Sequence, residues 1–164
     1  MALVPRSTVP VADYVEIQRL VHRYADAVVR RDGVEWSTCW ADDASWDLGG
    51  GRALEGRETI VKVWYAAMGS MEAVVQQVHS GEVWVGTDAD HATGRWSITE
   101  RFRTAGGESA LLLASYDDEY RRVDGRWSFS RRFLDVHYRG PVDLSADFLN
   151  TKAALEDAGH EPDV

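Results

Sequence analysis

Among the five histidines, His22, His79, His91, His137 and His160, the surroundings of His79 are best suited to chemistry. It lies in the run Val74 to Val85, where alternation puts Val75, Gln77, His79, Gly81 and Val83 on one face of a strand. Turned inward, that face carries an imidazole into an apolar chamber, where it can serve as a general base. The competing reading is a structural histidine satisfied by one hydrogen bond. His91 sits in a turn and His160 in a tail, both positions where a ring is solvated. Asp32 is the second candidate. It ends a helical pattern, where a carboxylate meets the negative end of the helix dipole, and broken local rules of this sort are enriched at working sites. The plain alternative is a turn residue in Asp32-Gly33. An aspartate that accepts the N–H of one imidazole nitrogen fixes the tautomer and leaves the other nitrogen free to take a proton. Asp135, flanked by Phe133, Leu134 and Val136, and Glu100, alternating with Ile98 and Phe102, are further anomalies. A carboxylate buried in such strands either pairs with a cation or rises in pKa.

Several signatures are missing. There is no Gly-x-Ser-x-Gly elbow, glycine-rich phosphate loop, His-Glu-x-x-His or Cys-x-x-Cys, which argues against serine hydrolysis, nucleotide chemistry and the common zinc sites. The histidines show no close metal-ligand spacing. The expectation is a site without metal or cofactor.

The elements that must position these groups can be read from periodicity. Tyr14, Ile17, Val21, Tyr24 and Val28, joined by Leu20 and Ala25, recur at helical spacing from Val11 to about Arg31, and Gly33 is read as the left-handed residue that stops the helix. A short helix is expected over Val34 to Ala41, then a hairpin from Ala44–Leu48 through Gly49-Gly50-Gly51 to Ala53-Leu54, then a helix from Glu58 to Met68. Four long strands follow, Val74–Val85, Ala92–Arg103, Ser109–Arg122 and Arg126–Tyr138, with Asp124-Gly125 marking a tight hairpin. Helices followed by a meander imply an α+β fold, a cone in which a curved sheet wraps a long N-terminal helix. A loose helix is expected over Asp143 to about Leu155, and fraying from Gly159 to Val164.

The net charge of −9 disfavours nucleic acid and anionic membranes, and no apolar run is long enough to span a bilayer. The single Cys39 rules out an internal disulfide framework and fits a reducing, cytoplasmic setting. Seven tryptophans suit a packed core or the wall of an apolar cavity. Residues 1–7, MALVPRS, read as an expression-tag remnant, and 8–164 as one domain.

The order of four blocks then carries a resemblance. Tyr24-Ala25-Asp26 before Arg31-Asp32, Cys39-Trp40-Ala41-Asp42-Asp43-Ala44-Ser45-Trp46, Val78-His79, and Asp118 through Arg132 together resemble SnoaL-like proteins of the nuclear transport factor 2 superfamily. Ketosteroid isomerases, scytalone dehydratases and hexachlorocyclohexane dehydrochlorinases share that superfamily. The resemblance implies a catalytic Asp32–His79 dyad with Arg132 beside the leaving group, whereas the lysine of the dehydrochlorinases matches Ala27 here. It also implies a pocket wall holding Tyr24, Trp40, Trp64, Tyr116 and Asp135, which Glu100 joins as a substrate-binding candidate from its own strand position, although a helix tyrosine such as Tyr24 is more often core packing and a strand arginine such as Arg132 often serves a surface carboxylate. The implied activity is that of a cofactor-independent lyase, eliminating water or halide, or an isomerase, acting on a small hydrophobic cyclic molecule. The rival readings are a ligand-binding or assembly module and the small subunit of a ring-hydroxylating oxygenase. Outward strand faces lead us to expect a homodimer or homotrimer.

Overall fold

The computed structural model describes residues 7–149. Helix α1 (Val11–Arg30) buries Ile17, Leu20, Val21, Tyr24, Ala27 and Val28, the stripe its periodicity dictates. A fully buried aliphatic side chain such as Ile17 contributes about 1.5–3 kcal/mol. Arg31 stops the helix in the left-handed region at φ 56°, and its N–H bonds back to Val28. The stop is therefore two residues earlier than Gly33. Gly33 instead opens α2 (Gly33–Ser37), where a Cβ would stand 2.2 Å from the Tyr65 ring. This helix is shorter than Val34–Ala41 because the chain from Trp40 onward is already a strand.

Strands β1 (Trp40–Asp47) and β2 (Ala53–Glu55) form the expected hairpin. Helix α3 (Arg57–Ser70) buries Ile60, Trp64 and Met68. The meander follows as β3 (Met71–Val85), β4 (His91–Thr104), β5 (Ser109–Val123) and β6 (Arg126–Gly140). At the β5–β6 turn, Asp124 and Gly125 both take positive φ, 49° and 73°, which matches the twist of the flanking strands.

All six strands form one sheet in the order β2-β1-β6-β5-β4-β3, antiparallel except for the parallel β1–β6 pair. The sheet is curved and unclosed, and α1 packs against its β3 and β6 strands. The architecture is α+β, as the pattern of elements implies. Inward positions alternate cleanly on β4, as Ala92, Gly94, Trp96, Ile98, Glu100 and Phe102, and on β5, as Ala110, Leu112, Ala114, Tyr116, Asp118 and Tyr120. On β3 the alternation is interrupted. Val78 pairs with Ile98 but Gly81 pairs with Trp96, so one extra residue is accommodated between them as a bulge.

After β6, residues 143–149 run as turns and extended chain rather than a helix. The Tyr138 hydroxyl donates to Pro141 O at 2.6 Å, Leu149 N donates to His137 O at 2.6 Å and Phe148 packs on Tyr138, so the segment is drawn back along β6. The remainder of the expected terminal helix, the frayed end and residues 1–6 lie outside the described residues. Ser7 O accepts from Val85 N at 2.9 Å and Thr8 bridges Trp84, which ties the start of the described chain to the sheet.

Candidate functional site

Between α1, α3 and the inward face of the sheet lies a cavity of about 250 Å³. Tyr24 and Val28 enter it from α1, Trp64 and Met68 from α3, and Trp46 from β1. The sheet adds Gln76, Glu100, Phe102, Leu112, Tyr116, Leu134 and Val136. Their placement follows from strand register. Gln76 is opposite Glu100, and Tyr116 is opposite Leu134. A larger cleft of about 700 Å³ opens elsewhere on the surface, but its charges meet in pairs such as Arg23–Glu35 and Arg57–Asp42. The smaller, mostly apolar cavity holds a carboxylate that has no ion pair among the described residues.

That carboxylate is Glu100, whose Oε2 accepts a hydrogen bond from Gln76 Nε2 at 2.8 Å. Burial pushes its carboxyl above the usual carboxylate range, while the Gln76 hydrogen bond and the charge of Arg139 pull the other way. Gln76 Nε2 also reaches the Tyr116 hydroxyl at 3.4 Å, and Gln76 Oε1 is buried with no protein partner among the described residues. Burial raises the phenol of Tyr24, against the opposing charge of Arg132, and raises that of Tyr116 well above the ordinary tyrosine value. Both therefore remain protonated donors near neutral pH.

Behind the two tyrosines stands Arg132, fully buried. Its Nε and Nη2 donate to the two Asp118 carboxylate oxygens at 2.8 Å each, a bidentate pair. Tyr120 also donates to Asp118 Oδ2 at 2.8 Å, and Trp96 Nε1 donates to the Tyr120 oxygen at 2.8 Å. The guanidinium carbon lies 3.8 Å from the Tyr116 ring centroid, 3.9 Å from that of Phe129 and 4.3 Å from that of Tyr24. Burial disfavours the cation, but Asp118 more than offsets this and holds Arg132 firmly charged. Arg132 is thus a fixed positive charge at the back of the cavity wall, and a surface-partner role is excluded by its burial.

The expected dyad is not assembled. His79 is exposed on the outer face of the sheet, with Nε2 2.8 Å from Thr99 Oγ1. The bulge between Val78 and Gly81 is the reason. Downstream of it Val83 faces the core, while upstream of it Val74 and Gln76 do so and Val75, Gln77 and His79 face out. Asp32 is not on the last turn of α1 but is the N-cap of α2, accepting from Glu35 N at 2.9 Å and pairing with Arg30 at 3.0 Å. The Glu35 N–H, helped by Arg30, holds its carboxyl below the usual range. A carboxylate there meets the favourable end of a helix dipole, so the supposed broken rule is a kept one.

Asp135 also faces outward, paired with Arg95 at 3.2 Å, because its neighbours Leu134 and Val136 take the inward positions. Trp40 is buried among Tyr24, Trp36, Trp46 and Phe129 as part of the aromatic core and does not line the cavity. Tyr24, Trp64, Tyr116 and Glu100 are brought together as expected in one wall, with Arg132 behind them. Gln76 and Asp118 went unnoticed in the sequence. The signal for Gln76 was its cross-strand pairing with Glu100, and for Asp118 its place two residues from Tyr116 and Tyr120 on the inward side of β5. Among the described residues, no group of three or more His, Cys, Asp and Glu side chains is gathered as a metal site would require, and no helix is long and apolar enough to cross a membrane.

Comparison with known proteins places this geometry in context. The family model of the SnoaL-like domain matches residues 9–133. The gamma-hexachlorocyclohexane dehydrochlorinase of Sphingobium indicum is 27% identical over 133 residues, covering 80% of this chain and 85% of that protein. A scytalone dehydratase-like protein from Novosphingobium aromaticivorans superposes with a TM-score of 0.76 at 17% identity, over 87% of this chain and 95% of the other. The type 3 hexachlorocyclohexane dehydrochlorinase of Novosphingobium barchaimii superposes with a TM-score of 0.72 at 24% identity, over 84% and 94%. These superpositions assign the fold to the cone-shaped, nuclear transport factor 2-like group.

Proposed function

This chain belongs to the SnoaL-like domain family, and from that membership we propose that it is a lyase or isomerase that removes a proton from carbon in a small, hydrophobic, cyclic substrate. Glu100 is the general base in this reading. The observation that carries it is one carboxylate, raised by burial, in an apolar cavity beside two buried phenols and a fixed cation. The elimination and dehydration named for the relatives support the reaction class.

In an elimination, the ionised Glu100 takes a proton from carbon, and the C–H electrons become the new carbon–carbon π bond. The adjacent bond to the leaving group breaks: a departing hydroxide takes the Tyr116 proton and leaves as water, the phenol then being restored by the proton that Glu100 took, whereas a departing halide leaves as the anion and accepts only a hydrogen bond from Tyr116. In an isomerisation, Glu100 returns the same proton to a different carbon while Tyr24 or Tyr116 holds the intermediate enolate oxygen. Arg132 touches neither reactant. It sits over the tyrosine rings and stabilises negative charge that builds on their hydroxyl side. No protein group in this scheme needs a metal or an organic cofactor.

The test is a screen of cyclic ketones, alcohols and halides followed by comparison of Glu100→Gln with His79→Ala. Glu100→Gln should lower turnover by about 10²–10⁴-fold, the usual contribution of a positioned general base, and His79→Ala should leave it within about twofold. The reverse pattern would return the base role to the histidine. A second reading, a ligand receptacle without turnover, is favoured by the unassembled His79–Asp32 pair, and binding in the absence of any turnover by the wild type would support it.

A further inference from the structure

Most arginines of this acidic chain stand against carboxylates: Arg30 with Asp26, Arg57 with Asp42, Arg95 with Asp117, Arg103 with Glu72, Arg121 with Asp43 and Arg131 with Glu119. Arg19, Arg31, Arg52, Arg101, Arg126 and Arg139 have no carboxylate oxygen within ion-pair distance among the described residues, and of these Arg52 and Arg139 line the cavity just described. Both are exposed, in contrast to the buried Tyr24, Trp64 and Tyr116 of the same wall, so they mark the mouth of the cavity. They come from different elements. Arg52 lies in the β1–β2 turn, where its Nη2 donates to Leu48 O at 3.4 Å, and Arg139 lies near the end of β6, with its guanidinium carbon 5.5 Å from the Phe102 ring centroid. In a chain of net charge −9, two cations out of ion-pair contact with any described acid at one apolar opening, one of them already acting on Glu100, form a local attraction for a negative group.

We propose that the ligand of this cavity is an amphiphilic carboxylic acid, with its ring system among Trp46, Trp64, Phe102 and Tyr116 and its carboxylate held between Arg52 and Arg139. The assignment rests on the cavity being the substrate site and narrows the substrate class to cyclic or aromatic acids. Two features favour it over a free inorganic anion. The interior wall is predominantly apolar and needs an apolar body to fill it. Among the described residues Glu100 is the one acid in the cavity wall, and it is partly buried where both arginines are exposed, so the mouth itself presents cations and no carboxylate. Paired guanidinium groups suit a planar carboxylate, which each can bind through two parallel N–H bonds.

The proposal is tested by isothermal titration calorimetry with 2-naphthoic acid and its neutral isostere 2-naphthamide, on the wild type, on Arg52→Gln/Arg139→Gln and on Leu112→Trp, which fills the cavity. The acid should bind the wild type about tenfold or more tighter than the amide, the factor one charge-assisted hydrogen bond supplies. The double variant should lose that preference with amide affinity unchanged, and Leu112→Trp should lose both ligands. Equal binding of acid and amide, or an acid preference that survives in the double variant, overturns the carboxylate assignment and leaves the cavity reading intact. Binding that persists in Leu112→Trp, or no binding of either ligand by the wild type, overturns both the assignment and the cavity as the site. Because the readout is binding, it is independent of whether Glu100 is the base.

Discussion

The proton on Glu100 is linked to folding as well as to chemistry. Burial raises its carboxyl above the value it has in the unfolded chain. Between the two values the folded protein holds a proton that the unfolded chain has released, so stability falls as pH rises through that interval. The benefit of the neutral carboxyl is complete below the unfolded value and gone above the folded one. Chemical denaturation between about pH 4 and 8 should show Glu100→Gln gaining on the wild type as pH rises. The gain should be about 1.4 kcal/mol for each pH unit separating the two values. Parallel pH profiles for the two proteins would refute the desolvation. The same group explains why base catalysis should appear only on the alkaline limb of a rate profile, since the carboxyl must ionise before it can accept a proton.

Individual elements carry backbone requirements that their composition conceals. Gly81 follows the β3 bulge at a point where a Cβ would stand 2.2 Å from the buried Trp96 ring. Gly81→Ala should therefore cost about 1–3 kcal/mol, read as a lower urea midpoint with unchanged denaturant dependence. A midpoint equal to the wild type would mean that the strand and the indole can part easily. This region also marks the limit of what could be read from the chain. Helix α1, the β1–β2 hairpin and the four long strands were legible because burial of one face forces a period of 3.6 or 2. A bulge leaves no such trace. Simple alternation from Gly81 and Val83 back to His79 is correct on one side of the extra residue and inverted on the other, which is why the imidazole was placed inside. Glu100, Tyr24, Trp64 and Tyr116 lie on uninterrupted stretches, where simple alternation or helical spacing keeps them on the cavity side. The junction after α1 failed for a similar reason, since nothing in Arg31-Asp32-Gly33 announces that the arginine takes the left-handed turn and the aspartate begins a new helix.

At the scale of the molecule, the sheet has a second, outward face that α1 and α3 do not cover. Phe133 and Leu113 are only partly buried there, beside Asp117 and Asp135, which share Arg95. Apolar side chains on a broad sheet face suit a symmetric contact with another copy, and we expect a dimer or trimer by light scattering at micromolar concentration, with Phe133→Arg shifting it toward monomer while near-ultraviolet circular dichroism is retained. A monomeric wild type would contradict this. His79, Thr99 and His137 lie on that face, so what the bulge removes from the chamber it hands to the exterior. Loss of the bulge with Gly81 still opposite Trp96 would slide the front half of this strand by one residue, turning Gln76 out and the imidazole in, without altering any other strand. In an evolving lineage, one such slip would thus add a histidine to a chamber that keeps Glu100 on β4 and takes Gln77 in place of Gln76, a route between reaction types that point substitutions could follow only in several steps.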